Sequence, residues 1–183
     1  EGIVNGIFFN QGHVCCAGSR LFVQESVADL VVRKLKQRMD SLYVGDPLDK
    51  NTDIGAINSK EQLEVINKYI KIGIEEGAEM YQPNCEIPTK GYFCKPTLFS
   101  NVAQSNVIAQ EEIFGPVLTI YVYPENELPI NERTLKGFTW STFFNVGCQR
   151  FCSGTFTTFD FNRDDICFIG RQNKFDFGAC VIP

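Results

Sequence analysis

The sequence predicts an α/β fold, an open and largely parallel sheet with flanking helices. Strand-like and helix-like stretches alternate from the first residues to about residue 124, with clusters of Gly, Pro, Asn and Asp between them. No internal repeat or low-complexity tract interrupts the series. Parallel neighbours need helical crossovers, so alternation of this kind points to that class. The chain has 183 residues, 44% hydrophobic and 21% charged, an ordinary balance for a globular domain with a proper core.

Each element has a local reason. In EGIVNGIFFNQG, Ile3, Ile7 and Phe8 recur at helical spacing before Asn10 to Gly12 break the pattern, as at the end of a helix whose start is missing. SRLFVQ, residues 19–24, suits a short strand. Ser26 then predicts a helix N-cap with Asp29 completing a capping box, and Val27, Leu30, Val31, Leu35 and Met39 line one face. Gly45, Asp46 and Pro47 mark a turn. A second helix starts at Ser59, with Gln62 in the capping position and Leu63, Ile66 and Ile70 as its buried stripe. After Gly77 the chain is turn-rich through Pro83, Asn84, Pro88 and Gly91, and strands are predicted over 97–102 and 117–123. From about Leu128 the character changes. Ten of the 16 phenylalanines lie beyond it, interleaved with Thr, Asn, Cys and Gly, and no period is sustained. The predicted division is therefore residues 1–127 and a divergent Phe- and Cys-rich tail, 128–183. That tail suits an edge-rich β segment as well as a sequence never selected to fold in this context.

Charge and composition exclude several functions. With 22 acidic and 17 basic residues the net charge is −5, which argues against nucleic acid or an anionic membrane as partner. No apolar run approaches the roughly 20 residues that span a bilayer, and no signal pattern opens the chain. Eight cysteines at irregular spacing suit a reducing compartment, the cytoplasm, better than a disulfide framework. Cys148, Cys152, Cys167 and Cys180 lack the paired short spacings of zinc modules, so no metal site is expected. The single histidine, His13, lies two residues from Cys15, poorly placed to be the base of a Cys/His hydrolase.

Chemistry concentrates in FFNQGHVCCAGSR, residues 8–20. A cysteine in a loop flanked by Gly12, Ala17 and Gly18 is placed to present its sulfur at a cleft, where small neighbours let a substrate and backbone N–H groups approach. A thiolate there would attack an electrophilic carbon. On residue type alone, two small buried hydrophobes is the favoured reading of Cys15 and Cys16, since most free cysteines behave so.

The segment resembles the active-site signature of the aldehyde dehydrogenase superfamily, in which an aromatic residue and a Gly precede the catalytic Cys, followed by Ala, a small residue and Arg. A second family motif is similar to Glu111-Glu112-Ile113-Phe114-Gly115-Pro116-Val117, at a family-like separation of 97 residues between Cys15 and Glu112. GDPLD (45–49), Gly55, the helix near Gln62, EEGA (75–78) and GYFCKPTLF (91–99) follow the same run, so the resemblance covers about residues 1–124. It implies an incomplete piece of the family's catalytic domain, with Cys15 as nucleophile, NAD or NADP as cofactor, an aldehyde as substrate and a homo-oligomeric full-length protein. Glu112 would bind the nicotinamide-ribose hydroxyls, Phe114 would pack beside that end of the cofactor, and Gln62 aligns with a position that can reach it. Bland readings stand beside these: Glu112 as a solvated acid, Phe114 as core, Gln62 as capping partner of Ser59, and His13 as a tolerated replacement for a polar amide rather than a group that tunes Cys15.

The family's general base, a Glu in a Glu-Leu-Gly-Gly type motif, its oxyanion Asn and its dinucleotide-binding βαβ region have no counterpart in this sequence, and no Gly-rich fingerprint occurs. By itself the chain is expected to be inactive. A non-catalytic family-like domain acting as a binding or scaffold module is the alternative reading.

Overall fold

The computed structural model describes residues 1–15 and 17–124, together with the backbone of 143–146 and 168–169. Helix α1 (Gly2–Phe8) leads through a 3-10 turn (Phe9–Gly12) to strand β1 (Arg20–Gln24) and helix α2 (Glu25–Met39). Helix α3 (Lys60–Glu75), strands β2 (Glu79–Tyr81) and β3 (Thr97–Ser100), a short helix α4 (Val107–Gln110) and strand β4 (Val117–Tyr123) follow. Strands β5 (Phe143–Val146) and β6 (Phe168–Ile169) complete one six-stranded sheet of order β2-β3-β4-β1-β5-β6. The inner pairs β3/β4, β4/β1 and β1/β5 are parallel. The outer pairs β2/β3 and β5/β6 are antiparallel. A mostly parallel sheet with antiparallel edges is common in doubly wound folds, because parallel strands need cover on both faces and an edge strand does not.

That cover is visible in the alternation of side chains. Leu21, Val23, Leu98, Leu118 and Ile120 share a core with Val4, Ile7 and Phe8 of α1 and Ala28, Val31, Leu35 and Met39 of α2. Phe99 and Val117, one residue out of phase, pack on the opposite face with Ile66 of α3, Ile108 of α4 and Ile113. Side chains in a strand alternate between faces, so two helical layers sandwich the sheet. Each fully buried Leu or Ile contributes about 1.5–3 kcal/mol.

Three expectations need correction. Helix α2 starts at Glu25, with extended Gln24 as N-cap and no side-chain cap bond, so Ser26 is already inside the first turn and exposed. Strand β1 runs directly into the helix and leaves no loop residue for Ser26 to cap from. Strand β3 stops at Ser100, because Asn101 turns left-handed at φ 54. The turn-rich stretch also contains β2, three residues that pair in register with β3 (Met80 opposite Phe99) and owe their strand state to that partner. The Ser59 cap is as expected: its Oγ accepts from the Gln62 N–H at 3.1 Å, and Ile66 is buried with Leu63 and Ile70 packed beside it. The division near residue 127 lies outside the described residues, as does the tail apart from the backbone of β5 and β6. Among the described residues, no helix is long and apolar enough to cross a membrane and no cluster of metal-ligating side chains occurs.

Candidate active site

Two loops meet beside the ends of the central strands. The first links α1 to β1. Asn10, Gln11 and Gly12 are left-handed in succession (φ 48, 57 and 74), which reverses the chain within three residues. Non-Gly residues adopt this conformation only where surrounding contacts hold them. Here the His13 N–H donates to the Asn10 carbonyl at 2.9 Å, Asn10 Nδ2 donates to the His13 carbonyl at 3.2 Å, and Gln11 Nε2 donates to the Ala56 carbonyl at 3.1 Å. Next, the Ala17 N–H donates to the Val14 carbonyl at 2.9 Å, closing a four-residue turn with Cys15 at its second position. Gly18 N–H ties the turn to the Gly6 carbonyl of α1 at 3.0 Å. Cys15 is exposed on this turn. Cys16 lies outside the described residues.

The second loop, Glu111 to Pro116, enters β4. Phe114 is left-handed (φ 54) and the residue is 40% exposed. Side chains from two other elements hold the loop by its carbonyls. Arg20 of β1, only 1% exposed, donates from Nη2 to the Glu111 carbonyl at 3.0 Å. Gln62 of α3 donates from Nε2 to the Ile113 and Phe114 carbonyls at 3.1 and 3.0 Å. Gln62 thus fills half a capping box with its backbone, while its side chain is a loop clamp. Burial lowers the pKa of the Arg20 guanidinium, and the nearby Tyr121, Glu112 and Glu111 oppose that shift.

The loops touch backbone to backbone. A Cβ built on Gly12 would lie 2.2 Å from the Gly115 carbonyl oxygen, and one on Gly115 would lie 2.6 Å from Ile66 Cδ1. Only hydrogen at Gly12 permits the two backbones to approach in this way, and hydrogen at Gly115 leaves room for Ile66 of α3. Between the loops lies a shallow open cleft, lined by Gly12, Val14, Ala17 and Ser19 on one side and Glu112 to Gly115 with Val117 on the other. The His13 and Phe114 rings stack between the two loops, 5.5 Å between centroids and 9° from parallel.

The structure therefore brings Glu112, Phe114 and Gln62 together at one loop and sets the Cys15 turn against it. Cys15 itself is not among the cleft's lining residues, although Val14 and Ala17 on either side are. Sequence reasoning missed Arg20, Gly115 and Gln11 as the parts that fix the two loops. Arg20 was signalled only as the last letter of the cysteine motif, and the Gly12–Gly115 contact joins residues 103 apart in sequence, beyond the reach of any local pattern.

Comparison with known proteins agrees with this arrangement. The sequence profile described as "Aldehyde dehydrogenase family" matches residues 1–132. The chain is 48% identical over 119 residues to aldehyde dehydrogenase family 2 member B4, mitochondrial, of Arabidopsis thaliana, covering 65% of this chain and 22% of that one. It is 47% identical over 122 residues to the putative aldehyde dehydrogenase DhaS of Bacillus subtilis, covering 67% and 25%. Among solved structures it is similar to an NAD+ complex of aldehyde dehydrogenase from Bacillus cereus, with TM-score 0.63, 37% identity, and coverage of 67% and 25%. It is also similar to betaine aldehyde dehydrogenase from Staphylococcus aureus in complex with NAD+, with TM-score 0.63, 34% identity, and coverage of 67% and 25%. The chain spans about a quarter of the length of these relatives. With both motifs on facing loops of one cleft and the profile matched across the described fold, the chain belongs to the aldehyde dehydrogenase family.

Proposed function

We propose that this chain supplies the nucleophile and the nicotinamide-side wall of an enzyme that oxidises an aldehyde to a carboxylic acid with NAD. The observation that carries the reading is the exposed Cys15 on a tight turn whose loop is pressed, through Gly12 and Gly115, against the loop bearing Glu112 and Phe114. The NAD+ bound in the similar Bacillus cereus and Staphylococcus aureus enzymes supports NAD as the hydride acceptor.

The residues present fit that cofactor's nicotinamide end. Glu112 is exposed beside the cleft, and its carboxylate makes no hydrogen bond among the described residues, so it is free to accept two from a ribose diol. Phe114 offers a half-exposed ring for a flat heterocycle, and Gln62 acts at this end by fixing the Phe114 carbonyl. When bound, NAD supplies the acceptor for two electrons and one hydrogen as hydride.

Cys15 performs the covalent chemistry in this reading. Its thiolate sulfur adds to the aldehyde carbon, a C–S bond forms, and the carbonyl π pair moves onto oxygen to give a thiohemiacetal anion. Backbone N–H groups of the cysteine turn are the donors this chain can offer to that oxyanion. Loss of hydride from the same carbon restores the C=O bond and leaves a thioester on Cys15. Water then adds to the thioester, and the acid and the thiolate separate. In the enzyme containing this chain, Cys15→Ser is expected to abolish aldehyde oxidation. Glu112→Gln should mainly raise the Michaelis constant for NAD. Full turnover by Cys15→Ser would overturn the reading.

A further inference from the structure

The stacked pair His13 and Phe114 joins the two loops by a contact that the two motifs do not require. His13 is the protein's one histidine. Its ring lies nearly parallel to Phe114, and its Nε2 is buried with no hydrogen-bond partner among the described residues. One face of Phe114 is thereby turned to the nucleophile loop, while the residue remains 40% exposed. The Phe114 backbone is left-handed and pinned by Gln62, which fixes the loop but not the rotation of the ring. The imidazole is the aromatic ring stacked on it among the described residues.

We propose that His13 is a positioning residue for Phe114: its neutral imidazole holds the ring flat against the nucleophile loop and presents the other face to the nicotinamide, and protonation of His13 releases it. The cofactor half of this inference rests on the proposed function. The physical reason is the buried Nε2. In the neutral tautomer with hydrogen on Nδ1, Nε2 is a lone pair in apolar contact, a modest cost. In the imidazolium it becomes a charged donor with no acceptor, and the attraction of a cation for the Phe114 face is weaker than that penalty. Burial accordingly lowers the His13 pKa below its ordinary 6.5. The ionisable groups on the elements packed here are Cys15 on its own loop, Glu111 and Glu112 opposite, Arg20 at the head of β1, and Lys60, Glu61 and Glu64 in the first turns of α3. The lowering comes from burial rather than from any of them.

A lone histidine makes the test unambiguous. In the 183-residue chain, NMR of the imidazole and of labelled phenylalanine rings is followed from pH 8 to pH 5, with Phe114 assigned from Phe114→Leu. The expected result is an Nδ1–H tautomer, ring-current shifts on His13 that vanish in Phe114→Leu, and Phe114 ring signals that move with the same midpoint as His13, below 6.5. His13→Phe, which keeps a flat ring and cannot titrate, should hold Phe114 at every pH, whereas His13→Gln should release it at every pH. Phe114 signals that ignore the His13 midpoint, or a His13→Phe chain that behaves like His13→Gln, would overturn the inference. Saturation transfer from millimolar NADH to the Phe114 ring, measured in the enzyme containing this chain, tests the underlying reading separately. Transfer without the coupled titration sinks this inference alone, and coupled titration without transfer sinks the cofactor role alone.

Discussion

Replacing Gly12 by Ala tests the contact that joins the two loops. The new methyl would lie 2.2 Å from the Gly115 oxygen and 2.6 Å from its carbonyl carbon, both backbone atoms that no rotamer change can move. The residue must also keep φ +74, a left-handed conformation that costs an L-residue about 1–2 kcal/mol. Overpacking of this kind adds about 1–3 kcal/mol, so the total loss is about 2–5 kcal/mol. Gly77 supplies the control. Its φ is +85 and nothing lies within 4 Å of its virtual Cβ, so Gly77→Ala isolates the conformational part. At roughly 2–4 °C per kcal/mol for a chain of this size, Gly12→Ala should melt well below Gly77→Ala in a thermal scan followed by circular dichroism. Urea titration of the same pair gives the difference directly. Equal losses in the two variants would refute the claim that the loops are in backbone contact.

Other outcomes follow from the same contacts. Ser59→Ala should cost about 1 kcal/mol through the lost cap on α3. Gln62→Ala removes two hydrogen bonds worth about 0.5–1.5 kcal/mol each, and amide exchange should speed up in residues 113–115 while the core of α3 is little changed. Burial pushes the Cys94 thiol up to about 11, so at pH 8 only roughly one molecule in a thousand carries the thiolate there, and iodoacetamide should modify Cys94 only on unfolding. Because the unfolded thiol ionises first, near 9, the Cys94 contribution to stability should fall as pH rises from 9 towards 11, a slope that Cys94→Ala removes from urea titrations. His13 acts at the other end. Its folded pKa is lowered, so its contribution is complete above 6.5 and is lost as pH falls through the lowered value, and His13→Phe should flatten that part of the pH–stability curve.

The sequence was informative where a short-range pattern has a single physical solution. Val117 to Tyr123 is a β-branched and aromatic run and forms an inner strand, and Ser59 with Gln62 forms the cap it spells. Phe114 illustrates partial legibility: its place in the second motif marked it, but neither its left-handed backbone nor its stack on His13 could be read from residue type. Ser26 misled because a capping residue caps only if the chain before it is free to turn, and strand β1 occupies that position. Short β2 was hidden because the pairing that makes it a strand is supplied by β3, some 20 residues away. Arg20 was hidden for a similar reason, since its meaning lies in the carbonyl of Glu111 across the cleft.

The central claim is that the sulfur of Cys15 is open to an aldehyde and adds to it reversibly. Competition between an aldehyde and an alkylating agent tests this most directly: the intact chain is treated with iodoacetamide at pH 8, with and without excess propanal, and each cysteine's rate is read by tandem mass spectrometry. Propanal should slow alkylation at Cys15 while Cys85 keeps its rate and Cys94 stays unmodified. An unchanged rate at Cys15, or equal slowing at Cys15 and Cys85, would contradict it.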